Sequence, residues 1–327
     1  LNQTSETYVS WTFRKAPKFF SILTWTGDGT AGPFSLSHNL GSSVGMSIVK
    51  STSNTSGWIV NHRSVPTKYF TLNASDSEQT DVTMTSTDST VTFNGSNVYY
   101  NFSGRTYVAY LFAHHANDGS ETGFGPDGDS PVISCGSYTG NGSSTGPSVN
   151  LGFEPQFLII KRSSGTANWT IVDSIRGITH DGDHPYLQPN SSAQEFDGAY
   201  IRTLATGFQP RATSSQFNNS GDTYIYMAIR RGPLAAPEDA TKVFSIDTLG
   251  TSAPYFDSNH IVDMGLVKQT GAASSWFVYT RLVGEKNFYT DFTAAENNAS
   301  EAGFDFMNGH IDSNWGGTNS YSWMWKR

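Results

Sequence analysis

The stretch Met46–Lys50 (MSIVK), with Trp58 eight residues after its lysine, decides the fold because two related stretches with the same spacing follow along the chain. The other copies are Phe157–Lys161 with Trp169, and Met264–Lys268 with Trp276. Successive lysines lie 111 and 107 residues apart. An apolar run, a short polar loop and a second run starting with Trp are typical of a β-hairpin whose Trp is anchored in the core. The long period predicts three diverged copies of one module.

Strands rich in aromatic residues close each copy of the repeat. They are Tyr107–Ala113, Tyr224–Ile229 and Tyr321–Trp325. Aromatic and aliphatic residues follow one another in these runs after turn-forming residues, a pattern typical of strands buried on both faces. The sequence therefore predicts an all-β protein built from three tandem, diverged β-sandwich-like modules of jelly-roll or lectin-like type.

Stretches rich in turn-forming residues mark the predicted boundaries between modules. Thr7–Lys15 resembles the closing strands, so we expect the chain to begin with the last strand of a preceding unit and to belong to a longer polypeptide. The predicted organisation is that closing strand plus a connector at 1–19, β module 1 at 20–115, a linker at 116–134, β module 2 at 135–231, a linker at 232–243, and β module 3 at 244–327.

Composition and charge exclude several classes of partner. The formal net charge is −8 and no cluster of Lys and Arg occurs, so nucleic acid is not an expected partner. No apolar run approaches the roughly 20 residues that a membrane-spanning helix requires, so we expect no membrane insertion. Cys135 is the single cysteine and lies in an apolar run, which predicts a buried side chain and excludes an intrachain disulfide.

Four phrases resemble a repeat domain that is abundant in tail and other structural proteins of marine bacteriophages, especially those of cyanobacteria. They are Trp11–Phe20, Phe124–Asp129, Cys135–Gly142 and Tyr224–Arg231. The resemblance covers nearly the whole chain. It implies a location in the virion, and it implies a laminin-G-like or lectin-like module upstream of these repeats.

Two acidic loops are candidate cation sites. Asp181 and Asp183 lie within His180–His184, and Asp127 and Asp129 lie in a Gly-Asp turn. Carboxylates and imidazoles can bind a divalent cation, but Gly-Asp segments are more often ordinary turns. The preferred interpretation is therefore that the chain has no metal site and needs no cofactor.

The sequence gives no catalytic motif in the context that its chemistry requires. It contains no phosphate-binding Gly-Lys-Ser/Thr loop and no Cys-x-x-Cys pair. Gly-x-Ser-x-Gly occurs at Gly41–Gly45 and Gly142–Gly146, but a nucleophile elbow also requires a strand-to-helix turn, and no helix is predicted at either place. Acidic residues are scattered and suggest no pair of carboxylates of the kind that glycoside hydrolysis uses. We therefore predict that the protein is not an enzyme.

Aromatic residues that differ between the copies are candidates for stacking on sugars. The repeated Trp58, Trp169 and Trp276 are better explained as core residues. The candidate ligand-binding residues are Tyr186, Tyr255, Phe256 and Trp315.

The sequence thus predicts a structural protein of a phage virion. We expect a segment of a tail fibre, spike or similar appendage that serves assembly and host attachment, with other virion proteins and further copies of itself, as a homotrimer, for partners. The alternative is a carbohydrate-binding adhesin whose modules themselves hold a host surface glycan. A third class, a polysaccharide-degrading spike whose catalytic pair forms across subunits, also remains open.

Overall fold

Antiparallel β-strands form nearly all of the regular structure. The computed structural model describes residues 8–115, 124, 129–178, 183–232, 239–291, 293–299, 303–311 and 319–326. Within these ranges the only helices are two 3-10 turns, Asn97–Tyr99 and Ala240–Lys242. None of the helices in the described part of the chain is long and apolar enough to cross a membrane. The prediction of an all-β protein is confirmed.

Contacts between Cα atoms divide the chain into two units. Unit 1 consists of Leu1–Thr71 and Gln79–His114. Its strands are β1 (Phe20–Thr26), β2 (Phe34–Ser37), β3 (Val44–Ser51), β4 (Ile59–His62), β5 (Tyr69–Thr71), β6 (Val82–Ser86), β7 (Thr90–Gly95) and β8 (Thr106–Ala113). They form one sheet in the order β1-β8-β3-β4-β5, called the first sheet, and a smaller one in the order β2-β7-β6.

Unit 2 consists of Leu72–Glu78 and His115–Arg327. Its strands are β9 (Ile133–Thr139), β10 (Val149–Asn150), β11 (Pro155–Arg162), β12 (Thr170–Asp173), β13 (His184–Tyr186), β14 (Phe196–Gly198), β15 (Ile201–Leu204), β16 (Gly207–Pro210), β17 (Thr223–Arg230), β18 (Phe244–Thr248), β19 (Phe256–Asp257), β20 (Met264–Gln269), β21 (Trp276–Thr280), β22 (Lys286–Tyr289), β23 (Asn297–Asn298), β24 (Gly309–His310) and β25 (Ser320–Trp325).

Unit 2 contains two large sheets. The second sheet has the order β12-β11-β17-β9, and the third sheet has the order β18-β25-β20-β21-β22-β23. Smaller sheets, β10-β16-β15 and β19-β24, carry other strands of the same segments. In all three large sheets, the opening strand pairs with the closing strand, which pairs with the strand that carries the repeated lysine.

The three predicted hairpins are confirmed. β3 pairs antiparallel with β4, β11 with β12, and β20 with β21. The apolar runs form these strands because both of their faces can be buried, and the polar residues between them form the connecting loops.

Glycines allow the opening strands of the first two sheets to approach the loop before the closing strand. A Cβ on Gly27 would lie 2.3 Å from the carbonyl oxygen of Phe102, and a Cβ on Gly140 would lie 2.2 Å from that of Asn219. No side chain fits at either distance. The first two copies both begin with an aromatic residue followed by Thr and Gly, Trp25–Gly27 and Tyr138–Gly140, and this close backbone approach explains the glycine.

The cores explain only part of the tryptophan prediction. Trp169 is 1% exposed, as predicted for a core residue, whereas Trp58 and Trp276 are half-buried. Trp58 and Trp276 are therefore not fully buried core residues, contrary to the prediction. In unit 2, one apolar cluster includes Leu158 and Tyr224, and a separate one includes Val267. Cys135 is buried, as predicted.

Arg281 joins the second and third predicted modules within unit 2. Its guanidinium donates from Nη1 to the carbonyl oxygens of Ser174 at 2.9 Å and Ile175 at 2.7 Å, and from Nη2 to that of Val262 at 2.8 Å. These bonds tie the segment after β12 to the third sheet. The division into three separate modules therefore stays a prediction, since these two segments share one unit.

The predicted closing strand of a preceding unit within 1–19 stays a prediction. Residues 8–15 lie outside any strand, and only Ala16 forms an isolated bridge, with Phe20. A β-strand is stable only when a neighbouring strand satisfies its backbone groups. The predicted partner strands of this segment belong to the preceding unit, which this chain does not include.

Candidate functional site

The repeated lysines all make the same contact. The Nζ atom of Lys50 donates to the carbonyl oxygen of Ser56 at 2.9 Å, and that of Lys161 donates to Ala167 at 2.6 Å. Lys268 donates to the carbonyl oxygen of Ser274 in the same way. Each acceptor lies six residues after its lysine, so the ammonium group closes the hairpin loop just before the repeated Trp. This contact explains the constant Lys-to-Trp spacing.

The repeated lysine of the second sheet, Lys161, is completely buried. Lys161 has no exposed surface and also donates to the carbonyl oxygen of Ser75 at 3.0 Å, and burial lowers its pKa to about 8. The backbone N–H of Ala167 donates to Ser75, and that of Glu78 donates to Ser163. The segment Leu72–Glu78 therefore lies along the hairpin of the second sheet.

The outward side chains of β17 are buried as well. Ile225 pairs with Lys161 across the sheet, and side chains alternate between faces along a strand, so Ile225, Met227 and Ile229 share the outer face with Lys161. Their exposed fractions are 1%, 3% and 6%. The outer face of the second sheet is thus part of the protein interior.

The third sheet differs by one residue in its closing strand. Sequence similarity pairs Tyr321 with Tyr107 and Tyr224. In the first two sheets, the residue opposite the repeated lysine is the one after that tyrosine: Val108 lies opposite Lys50, and Ile225 lies opposite Lys161. In the third sheet, Tyr321 itself lies opposite Lys268. A shift of one residue moves every side chain of a strand to the other face. The aromatic residues of β25 therefore point outward, whereas Tyr107 and Tyr224 point inward.

This shift creates an apolar surface that we call the aromatic face. It consists of Ile246, Met264, Trp276, Tyr321, Trp323 and Trp325. The exposed fractions of Ile246, Tyr321 and Met264 are 53%, 38% and 37%, and the three tryptophans are half-buried. The ring centroids of Trp276 and Trp323 are 5.5 Å apart, so the aromatic face is continuous across β25, β20 and β21.

A small pocket adjoins one end of the aromatic face. Its volume is about 240 Å³, and Met264 and Trp325 contribute to both features. Arg231, Asp263 and Arg281 line its polar side, where both arginines form ion pairs with Asp263. Burial lowers the pKa of Arg281 to about 10. Ligand pockets usually measure roughly 300–1,000 Å³, so this pocket is small for a ligand site of its own.

The predicted sugar-stacking residues do not form a site. Tyr186 is 8% exposed and stacks on Phe196 with ring centroids 5.2 Å apart, and Phe256 has no exposed surface. These two predictions are wrong, because core packing occupies the ring faces that a sugar would need. Tyr255 is half-buried against the core of the third sheet. Trp315 lies outside the described residues.

The predicted cation loops also remain without support. Asp127 and Asp181 lie outside the described residues, and Asp129 and Asp183 are exposed. In the part of the chain that the structure describes, no three His, Cys, Asp or Glu side chains lie close enough together to bind a metal ion.

A buried His–Ser pair is the nearest approach to catalytic geometry. The Nε2 atom of His310 lies 2.7 Å from Oγ of Ser322, and neither residue has exposed surface. Burial lowers the pKa of His310 to about 3, and its Nδ1 has no hydrogen-bond partner among the described residues. A nucleophilic Ser requires access to substrate and a base oriented by a third group. This pair has neither, and it supports the packing of β24 against β25.

Comparison with known families gives one finding. The model of a family described as Domain of unknown function (DUF7483) matches residues 1–233. The match ends before β18, so the aromatic face lies outside it. Searches of the curated proteins and of the solved structures give no match.

Proposed function

We propose that this chain, which belongs to the family described as Domain of unknown function (DUF7483), is a non-enzymatic structural segment of a phage virion. In this proposal it forms part of a tail fibre, spike or similar appendage and serves assembly and host attachment. Its partners are other virion proteins and further copies of itself in a homotrimer, and it requires no cofactor.

The aromatic face is the observation that carries this proposal. It is a continuous, largely apolar surface on a sheet, with Lys268 between Tyr321 and Trp276. A surface of this form suits contact with another macromolecule better than the binding of a small substrate. The other notable polar groups serve the fold, since Arg281 and Lys161 bond to backbone carbonyl oxygens. The resemblance to repeat domains of marine phage structural proteins supports the virion location.

Immunogold electron microscopy of purified particles tests the location. Antibodies against this chain are applied to particles of the virus that encodes it, with antibodies against an unrelated non-virion protein as the control. We expect gold labels on the tail or another appendage. Particles without label, together with abundant chain in the infected-cell extract, would contradict the proposal.

A glycan-binding adhesin is the second candidate function, and the side-by-side rings of Trp276 and Trp323 favour it. Sugars stack on exposed aromatic faces, and Lys268, with its Nζ atom 5.6 Å from the Trp276 ring, adds a polar group nearby. Saturable binding of the chain to a glycan array, lost on Trp276→Ala and retained on Met307→Ala, would support this function. Absence of binding would remove it.

A further inference from the structure

We propose that the pocket at the end of the aromatic face binds a small carboxylate ligand with a compact apolar body. The carboxylate contacts Arg231 and Lys326. The apolar body lies against Met264, Leu282 and Trp325. The proposal goes beyond the proposed structural function, because it concerns a small-molecule site and not the contact surface of an assembly.

The pocket lies at a corner of the sheet that the first sheet closes with an aromatic ring. There, Met46 pairs with Phe112, and these residues are 1% and 4% exposed. The ring of Phe13 lies 5.5 Å from that of Phe112 and covers it. The equivalent pair in the third sheet is Met264 with Trp325, of which the first is 37% exposed and the second half-buried. A flat apolar group therefore fits the third sheet where Phe13 fits the first.

Arg281 places a fixed positive charge at the wall of the pocket. Its Nη1 donates to the carbonyl oxygens of Ser174, Ile175 and, at 2.6 Å, Phe304, so the side chain cannot turn away. Its pKa of about 10 keeps the guanidinium charged at neutral pH. Asp305 interacts with Arg281 electrostatically but does not line the pocket.

Arg231 and Lys326 supply the donors for a carboxylate. Nη2 of Arg231 donates to Asp263, the only carboxylate among the described residues that line the pocket. Nη1 of Arg231 lies 3.9 Å from the carboxylate of Glu154, which is beyond hydrogen-bond distance. Arg231 and Lys326 are both half-buried. Hydrogen bonds from such cations to a carboxylate are about twice as strong as neutral ones, so the pocket favours a carboxylate over a neutral ligand of the same shape.

The volume of the pocket limits the ligand to a few atoms. A volume of about 240 Å³ equals the space of about eight water molecules at about 30 Å³ each. It is below the roughly 300–1,000 Å³ of sites for drug-sized ligands. Benzoate, which joins one flat apolar ring to one carboxylate, has the required size and chemistry and is the probe of choice.

Saturation-transfer NMR of benzoate with the full 327-residue chain measures this binding. Benzamide has the same ring without the charge and is the ligand control, while glucuronate carries a carboxylate on a polar sugar ring. Lys326→Met removes a cation from the pocket, and Leu282→Trp fills the pocket from a side chain that is 38% exposed. The matched control is Lys242→Met, which changes an exposed lysine outside the pocket. Thermal melting followed by circular dichroism checks that the variants remain folded.

We expect the wild-type chain and Lys242→Met to bind benzoate saturably at millimolar concentration, and more tightly than benzamide or glucuronate. Lys326→Met should weaken the binding of benzoate by about tenfold, since it removes a charge-assisted hydrogen bond. Leu282→Trp should abolish it. A wild-type chain that does not bind benzoate, or that binds benzamide equally well, would overturn the proposal. Unchanged affinity for benzoate in Lys326→Met or Leu282→Trp would also overturn it, and tighter binding of glucuronate would overturn the apolar class of ligand.

Discussion

The second and third sheets of unit 2 share a strand order and a lysine-closed hairpin, yet their outer faces have opposite fates. The second sheet buries Met227 and Trp169 in the interior, whereas Trp323 and Trp276, at the equivalent positions of the third sheet, are only half-buried. The third face has larger aromatic residues and less cover. Similar backbone architecture therefore does not determine which face of a sheet is in contact with solvent.

Register explains much of this difference. In β17 the aromatic Tyr224 points inward and the outward positions carry aliphatic residues. In β25 a shift of one residue places Tyr321, Trp323 and Trp325 outward, and serine and methionine fill the inward positions. A small change in register can convert core-forming residues into a surface for assembly.

The largest contrast is expected at the repeated tryptophan. Trp169→Ala should lower the free energy of unfolding of unit 2 by about 3–5 kcal/mol, since it removes a fully buried ring and leaves a cavity. Trp276→Ala should cost only about 1–2 kcal/mol in the monomer, because the ring is half-buried and water can fill the space. Urea denaturation followed by circular dichroism measures both. Equal losses would contradict the difference in burial.

A smaller contrast is expected on the closing strands. Met227→Ala should cost about 2–3 kcal/mol, because its side chain is 3% exposed on the outer face of the second sheet. Trp323→Ala, at the equivalent position of the third sheet, should cost about 1 kcal/mol in monomeric protein. The same urea series, at low protein concentration, serves for this pair. A larger loss at Trp323 than at Met227 would contradict the account.

The smallest expected effect is a dependence of the free energy of unfolding on pH, caused by the buried Lys161. Burial lowers the pKa of Lys161 from 10.5 to about 8, so the folded chain releases this proton at lower pH than the unfolded chain does. The unfolded state then binds more protons between about pH 8 and 10, and the free energy of unfolding contributed by Lys161 rises with pH in that window.

Urea midpoints at pH 8, 9 and 10 measure this contribution as the difference between wild type and Lys161→Met. A difference between wild type and Lys161→Met that stays constant over this range would show that Lys161 is not buried as described.

Much of the fold could be predicted from the sequence because its repeats contain strong local patterns. The three hairpins are predicted by apolar runs, polar loops and the Lys-to-Trp spacing, and the structure contains all three. The sequence pattern by itself assigns no role to the repeated lysine. The signal is the constant spacing: a lysine recurs at the end of each first strand, eight residues before the Trp, and a side chain of this length can reach a carbonyl oxygen of the short loop between them.

The candidate site could not be predicted for a physical reason. Similarity of the closing strands aligns Tyr321 with Tyr224, but which face a side chain occupies depends on pairing with β20, a contact between distant parts of the chain. For the same reason Tyr186 and Phe256 looked like surface candidates. Their burial depends on packing partners such as Phe196 and His310 that lie elsewhere in the sequence.

Hydroxyl-radical footprinting read by mass spectrometry tests the central claim most directly. The wild-type chain is labelled, and oxidation is compared at Trp323, Trp276 and Trp169. The account predicts that Trp323 and Trp276 are oxidised faster than Trp169, because their rings are half-buried whereas Trp169 is 1% exposed. Oxidation of Trp169 at the same rate as Trp323 would contradict the difference between the outer faces of the two sheets.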